Sequence, residues 1–247
     1  LSSVIRQQSL QSIAALVGQA RRDATGRTAM LVVDAMTTNE TSFFRDPTVY
    51  AFLRTEILPE LIERNRTTRT LRIWCGASSS GQEPYSVLML MREHFPDFAG
   101  WNVRLLATDI SPTMLDRTRQ GRYSRIEVNR GLPAPLLVKY FTRDGLDWVV
   151  SDQLRRSVQT RELNLSKPFP FTERFDLVLV RNVLIYFSLE TKRAVLDRIR
   201  KVLVPGGYLF LVSTESTIHI DDSWSRRTYG NVSCYQPHGA RSEEAMR

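Results

Sequence analysis

Apolar residues recur along this chain in two rhythms, one helical and one of short continuous runs. Over residues 1–36 the spacing is helical, with Ile13, Leu16 and Val17, then Met30, Leu31, Val33 and Met36, around the polar stretch RRDATGRT. DPTVYAFLRTEILPELIERN predicts a further helix, with Pro47 suited to its first turn and Phe52, Leu53, Ile57 and Leu61 on one side. Strands and helices then alternate. LRIWC predicts a strand, EPYSVLMLMREHF a helix from Pro84, and NVRLLATDI a second strand. SPTMLDRTRQG predicts a helix with Ser111 as N-cap, Pro112 in the first turn and Gly121 at the stop. FDLVLVRNV predicts a buried strand. SLETKRAVLDRIRKVLVPGG predicts a helix ended by Pro205-Gly206-Gly207, with YLFLVS as one more strand.

Strands separated by helices of this length predict an α/β fold, a parallel sheet covered on both faces. Residues 123–163 break the alternation. A helix-like APLLVKYF precedes Asp144-Gly145, a hairpin signal between Phe141 and Trp148-Val149-Val150. Apolar alternation continues through Leu154 and Val158, which predicts a small antiparallel flap at 141–163 inserted in the α/β domain.

The 247 residues suffice for one such domain and a small appendage. The longest apolar runs, such as VLMLM, fall far short of the roughly 20 residues of a membrane span. With no visible signal peptide and only Cys75 and Cys234, the expected setting is a reducing cytoplasm. The first residue is Leu1, so an earlier start is expected. The histidines (His94, His219, His238) show no metal-ligand spacing, and no metal is expected. The net charge of +8 suits an acidic partner, or reflects a solvated arginine-rich surface. Its arginines are dispersed and not interleaved with aromatics, so nucleic acid is not expected.

Ligands of such sheets bind beyond the carboxyl ends of the strands. The turn Gly76–Gly81, the strand-ending Asp109 and the pair Arg181-Asn182 all fall there. Asp109 follows Gly81 at the distance of an acid that holds the vicinal hydroxyls of a ribose. The turn GASSSG carries side chains where a pyrophosphate would press, which favours an adenosine cofactor without phosphates, S-adenosylmethionine. Taken singly, a Gly-bounded turn is more often a tight connection, and a terminal Asp a helix cap.

TTNETSFFRDP (37–47), ASSSGQEPYS (77–86), LLATDIS (105–111), RNVLIYF (181–187) and LVPGGYLFL (203–211) together resemble the chemotaxis receptor methyltransferases, the CheR family, from about residue 30 to 237. The resemblance implies a Rossmann-like, S-adenosylmethionine-dependent methyltransferase sheet with helices on both faces. It implies a partial N-terminal helical domain (1–36), a linker and helix (37–69), the methyltransferase domain (70–240) with its β-subdomain insert, and a tail (241–247). It further implies a protein-glutamate O-methyltransferase, esterifying glutamates on chemoreceptor helices and leaving S-adenosylhomocysteine. Carried over by position, Asn39, Thr41 and Arg45 contact the cofactor from the linker. Glu83 reaches its methionine end, Asp109 the ribose and Asn164-Leu165 the adenine. Arg181 and Asn182 close the site beneath, and Tyr186 and Arg45 are the catalytic candidates. Gln82 stands where an acid is frequent and Cys75 where a small residue is common; a buried apolar role is expected for Cys75.

The expected partners are cytoplasmic domains of chemoreceptors. The short turn TRDGLDW lacks the longer glycine-bearing loop of family members that bind a receptor-end pentapeptide, so independence from that tether is expected. A monomer without membrane insertion, peripheral to receptor clusters, completes the expectation. Two rival readings stay open: a methyltransferase for RNA or a small molecule, and a non-catalytic cofactor-binding signalling module.

Overall fold

A computed structural model describes residues 1–23, 26–212, 215–217 and 220–238. The expected tail at 241–247 lies outside the described residues, as do Ala24 and Thr25 of the polar stretch and Ser213 of YLFLVS. Three helices open the chain: α1 (Ser2–Gln7), α2 (Ile13–Arg22) and α3 (Arg27–Met36). The Ser12 side chain caps α2 by accepting from the Ala15 N–H.

The next helix is not uniform. It runs as α4 (Pro47–Phe52), a π-helical turn (Leu53–Ile57) and α5 (Leu58–Arg64). Pro59 has no N–H to give to the Thr55 carbonyl, and the widened turn falls immediately before it. The Thr55 hydroxyl donates to Ala51 O at 3.0 Å, filling an acceptor in the same turn.

The alternating region follows as β1 (Thr70–Gly76), α6 (Gln82–His94), β2 (Asn102–Asp109) and α7 (Pro112–Gln120). Ser111 caps α7 and Gly121 ends it in the left-handed conformation, as the sequence predicts. Then come β3 (Arg122–Ser124), α8 (Arg125–Asn129), α9 (Ala134–Tyr140), β4 (Phe141–Asp144), β5 (Asp147–Val150), α10 (Asp152–Arg155) and β6 (Val158–Glu162). The chain closes through β7 (Phe175–Val180), α11 (Leu189–Val202), β8 (Leu203–Phe210), β9 (Trp224–Tyr229) and β10 (Val232–Pro237).

Among the described residues seven strands form one sheet in the order β6-β2-β1-β7-β8-β10-β9. The first five are parallel, whereas β10 runs antiparallel to both of its neighbours. The chain turns one way from β1 to β2 and the other way to β7, which makes the β1/β7 boundary the switch point where such sheets open a crevice. Register aligns the strand ends there. Gly76 faces Thr108 on one side and Val180 on the other, and Asp109 faces Glu162. The residues that follow all four strands therefore emerge along one edge.

Two expectations change. The small antiparallel sheet is β3-β5-β4, so it recruits Arg122–Ser124 and stops at Val150, while residues 158–162 form the parallel edge strand β6 of the main sheet. Leu154 belongs to α10, which turns the chain back and buries that side chain. Apolar alternation cannot separate a third hairpin strand from a short edge strand, and pairing decided it. The second change is at Pro205-Gly206-Gly207, which lies within β8 rather than ending α11. Pairing with β7 is irregular there, and a bulge leaves room for a residue without an N–H.

The core lies on both sheet faces. Phe52, Ile57, Leu61, Tyr85 and Met89 from α4 to α6 cover one side, and Val195, Leu196 and Ile199 of α11 cover the other. Each such side chain contributes roughly 1.5–3 kcal/mol when fully buried. At the amino-terminal end of the sheet, Asp176 accepts bonds from Arg64 Nη2 (3.0 Å), Asn65 Nδ2 (2.8 Å) and the Arg72 N–H (2.8 Å), pinning α5 to β1 and β7.

Candidate active site

A cleft of about 330 Å³ opens over the carboxyl ends of β1, β2, β6 and β7. That size suits a small ligand. Its walls include all of Asn39, Thr41, Arg45, Glu83, Asp109, Asn164, Leu165, Arg181, Asn182 and Tyr186. Residues separated by up to 147 positions in the chain thus meet in one place.

The turn after β1 is built by its neighbours. Ala77 (φ 54°) and Ser79 (φ 49°) take left-handed backbone that costs side-chain-bearing residues, while Gly81 (φ 93°) caps α6. A Cβ on Gly81 would lie 2.8 Å from the Thr118 side chain. The shape is held by the Thr118 hydroxyl on Ser79 O (3.2 Å) and by the Tyr123 hydroxyl on Ser80 O (2.6 Å). Tyr123 comes from β3, so the small sheet supports the turn directly.

Asp109 is buried and already bonded to backbone. Its Oδ2 accepts the Ser79 N–H (2.8 Å) and its Oδ1 the Ser111 N–H (2.9 Å). Burial raises its carboxyl above the ordinary range, and these N–H bonds partly offset that. A carboxylate oxygen accepts more than one bond, so capacity remains toward the cleft.

The linker closes over this turn. Ser79 Oγ donates to Asn39 O (2.9 Å), and the Phe44 N–H donates to Ser86 Oγ (2.9 Å). Beneath it lies Arg181, whose side chain is 2% exposed. Its Nη1 donates to Glu83 Oε2 (2.8 Å) and its Nη2 to Arg45 O (3.0 Å) and the Asp46 carboxylate. Burial lifts the Glu83 carboxyl above its usual value, opposed by the adjacent guanidinium. Arg45 Nη1 donates to Glu40 O (3.0 Å). Asn164 Oδ1 accepts both the N–H and the hydroxyl of Ser166, which fixes the orientation of its amide. Tyr186 stands at the mouth and is 59% exposed. Cys75 is fully buried within β1, with burial raising its thiol.

Arginine 181 enters this site as a floor more than as a wall, since two of its three donor groups bind protein. Sequence reasoning missed Glu215, a buried carboxylate after β8 that accepts backbone N–H groups from the loop following β7. No motif marks it. Nor does any sequence pattern mark Ser79 as the stitch between linker and turn.

The lining fits an S-adenosylmethionine-sized group by its chemistry. Arg181 Nε and Ser78 Oγ are buried without partners at the cleft, the carboxylates of Glu83 and Asp109 stand at separate points, and Ile110, Leu163 and Leu165 supply an apolar stretch. Among the described residues no group of three or more His, Cys, Asp or Glu side chains could hold a metal, and no helix is long and apolar enough to cross a membrane.

Comparison with known proteins agrees with this geometry. The family described as "CheR methyltransferase, SAM binding domain" matches residues 39–229. The chain is 42% identical over 228 residues to chemotaxis protein methyltransferase 1 of Pseudomonas aeruginosa, covering 91% of this chain and 82% of that one. It is 39% identical over 228 residues to chemotaxis protein methyltransferase Cher2 of Pseudomonas putida, with the same coverage. Among solved structures, the glycopeptide N-methyltransferase MtfA complexed with (S)-adenosyl-L-methionine has a TM-score of 0.39 at 15% identity, over 82% of this chain and 72% of that chain. The family match and the two Pseudomonas relatives show that the chain belongs to the CheR methyltransferase family and carries its S-adenosylmethionine-binding domain.

Proposed function

We propose that the protein methylates glutamate side chains on cytoplasmic helices of chemoreceptors. The observation that carries this reading is the cleft itself, in which two linker-borne groups, Asn39 and Arg45, close over a methyltransferase strand edge. In the proposed assignment Glu83 holds the amino group of the cofactor's methionine part and Asp109 its ribose hydroxyls. Leu165 packs on the adenine, and the fixed amide of Asn164 reads the adenine edge. The cofactor supplies a methyl on a sulfonium, which passes to a carboxylate oxygen as one S–C bond breaks and one O–C bond forms, leaving a neutral thioether and a neutral ester.

A glutamate carboxyl, with an ordinary pKa near ~4.3, is ionised at neutral pH and needs no base. What remains for the protein is positioning, which can supply on the order of 7–11 kcal/mol. Arg45 has the charge to orient the incoming carboxylate, and Tyr186 at the mouth limits its angle of approach. The excess of positive charge speeds encounter with acidic helices. The small sheet, ending in the short turn with Leu146, is the proposed receptor contact and does not need a receptor-end tether.

Transfer of labelled methyl from S-adenosylmethionine to isolated receptor cytoplasmic fragments, with none to total RNA, is the expected result. Label on RNA alone would overturn the substrate. Arg45→Ala is expected to abolish transfer while the fold stays intact by circular dichroism; full activity in that variant would remove Arg45 from the mechanism.

A further inference from the structure

We infer that Glu215 is a positioning residue for methyl transfer, acting through the loop that follows β7. Glu215 is 6% exposed as a residue, and its carboxylate receives three backbone donors. Oε2 accepts the N–H of Asn182 (3.2 Å) and of Val212 (3.3 Å), and Oε1 accepts the N–H of Ile185 (3.3 Å). Its own N–H is bonded to Val212 O at 2.9 Å. One carboxylate thus clamps the segment just after β8 to a loop whose cleft-lining residues include Asn182 and Tyr186.

Two features make this a clamp with a job. Asn182 has φ 60°, a conformation that costs a non-glycine residue and persists only where neighbours over-determine it. Arg181, one position earlier, is fixed by Glu83 and Asp46, so the loop is held at its start by Arg181 and at its middle by Glu215. Ile185 is the last point of attachment before Tyr186, whose side chain is exposed and makes no hydrogen bond of its own among the described residues. Tyr186 lies in a short 3₁₀ turn, its N–H bonded to Val183 O at 3.2 Å, and the Glu215–Ile185 bond ties that turn to the segment after β8, so turn and clamp together set the aim of Tyr186 at the mouth. An amide in place of the carboxylate cannot serve: it offers one acceptor oxygen, and its NH₂ would face a backbone donor.

The inference rests on the methyl-transfer reading, and its test separates the two. Glu215→Gln and Glu215→Asp, which keeps the charge but withdraws it by one methylene, are compared with the unaltered chain. Amide hydrogen exchange is read at Asn182 and Ile185 without cofactor, with calorimetric binding of S-adenosylhomocysteine and kcat on receptor fragments. The expected result for Glu215→Gln is exchange at Ile185 at least tenfold faster while β7 stays protected. With it, kcat falls at least tenfold and the Kd for S-adenosylhomocysteine moves less than fivefold; Glu215→Asp changes in the same direction by less. Unchanged Ile185 exchange and unchanged kcat in both variants would overturn the role, as would losses matched by equal loss of protection throughout the sheet. Failure of the unaltered chain to methylate any receptor fragment would overturn the substrate reading, with Ile185 exchange still deciding the clamp.

Discussion

Arg181 Nη1 and Glu83 Oε2 stand 2.8 Å apart under the cleft, with their side chains 2% and 12% exposed. The pair joins the residue after β7 to the first turn of α6, so the two halves of the switch point share one buried charge contact. Removing one partner of such a pair strands the other. Glu83→Gln is expected to destabilise the protein by about 3 kcal/mol, eased by the remaining Asp46 contact, and to weaken S-adenosylhomocysteine binding at least tenfold. Urea unfolding and calorimetry check both; unaltered values in either would contradict the arrangement.

The raised carboxyls of Glu83 and Asp109 give binding a pH dependence of definite sign. A folded-state pKa above the unfolded one adds stability to the free protein at low pH, and that part is lost as pH rises through the folded value. In the proposed assignment cofactor binding runs the other way, because there it uses both groups in their ionised form. The Kd for S-adenosylhomocysteine is expected to rise on acidification, beginning above the ordinary carboxylate range near ~4. Calorimetry from pH 8 to pH 5 (roughly one to four units above that range) reads this; a flat profile would contradict it.

Asp109→Ala removes the proposed acceptor of two ribose hydroxyl bonds. At about 1.5–3 kcal/mol per hydrogen bond to a charged group, affinity for S-adenosylhomocysteine is expected to fall on the order of 100-fold or more. Because Ser79 and Ser111 also lose their acceptor, melting temperature is measured beside affinity. An affinity within threefold of the unaltered protein would remove Asp109 from the ribose.

Asp176 supplies the contrasting case, far from the cleft at the other end of β7. Asp176→Ala leaves Arg64, Asn65 and the Arg72 N–H without their shared acceptor. A loss of about 3–5 kcal/mol in unfolding free energy is expected, with cofactor affinity of the folded protein unchanged. A changed affinity would show that the base of the sheet communicates with its top.

The hairpin turn at Gly145-Leu146 projects a side chain that is 87% exposed. A receptor fragment lacking its C-terminal tail is expected to be methylated at the same initial rate as one carrying it. A rate many times higher for the tailed fragment would overturn the proposed independence from a tether.

Much of this could be read from residues alone, for physical reasons. A buried parallel strand such as Phe175–Val180 is a continuous apolar run, and Ser111-Pro112 with Gly121 delimits α7 from both ends. Gly76–Gly81, Asp109 and Arg181-Asn182 were legible because they sit immediately after such strands, whereas Asn39, Thr41, Arg45, Glu83, Asn164, Leu165 and Tyr186 came from the family resemblance alone. β6 was not, since Val158–Glu162 is a short edge strand with mostly polar outward positions that resembles more hairpin. The β9–β10 pair went unseen because its arginine-rich edge lacks clean alternation. Glu215 was hidden for a different reason: its partners are backbone N–H groups, which leave no trace in side-chain composition.

The cleft draws on residues 39–45, 77–83, 109, 164–165 and 181–186, and on a clamp at 215. It therefore comes into being only when the chain from residue 39 to residue 215 has found its place. A nascent or partly melted chain has nothing to offer the methyl donor, so mass action by the donor favours the finished state alone, by RT ln(1 + [L]/Kd). Cellular donor supply and the survival of this protein under heat are linked through that one term.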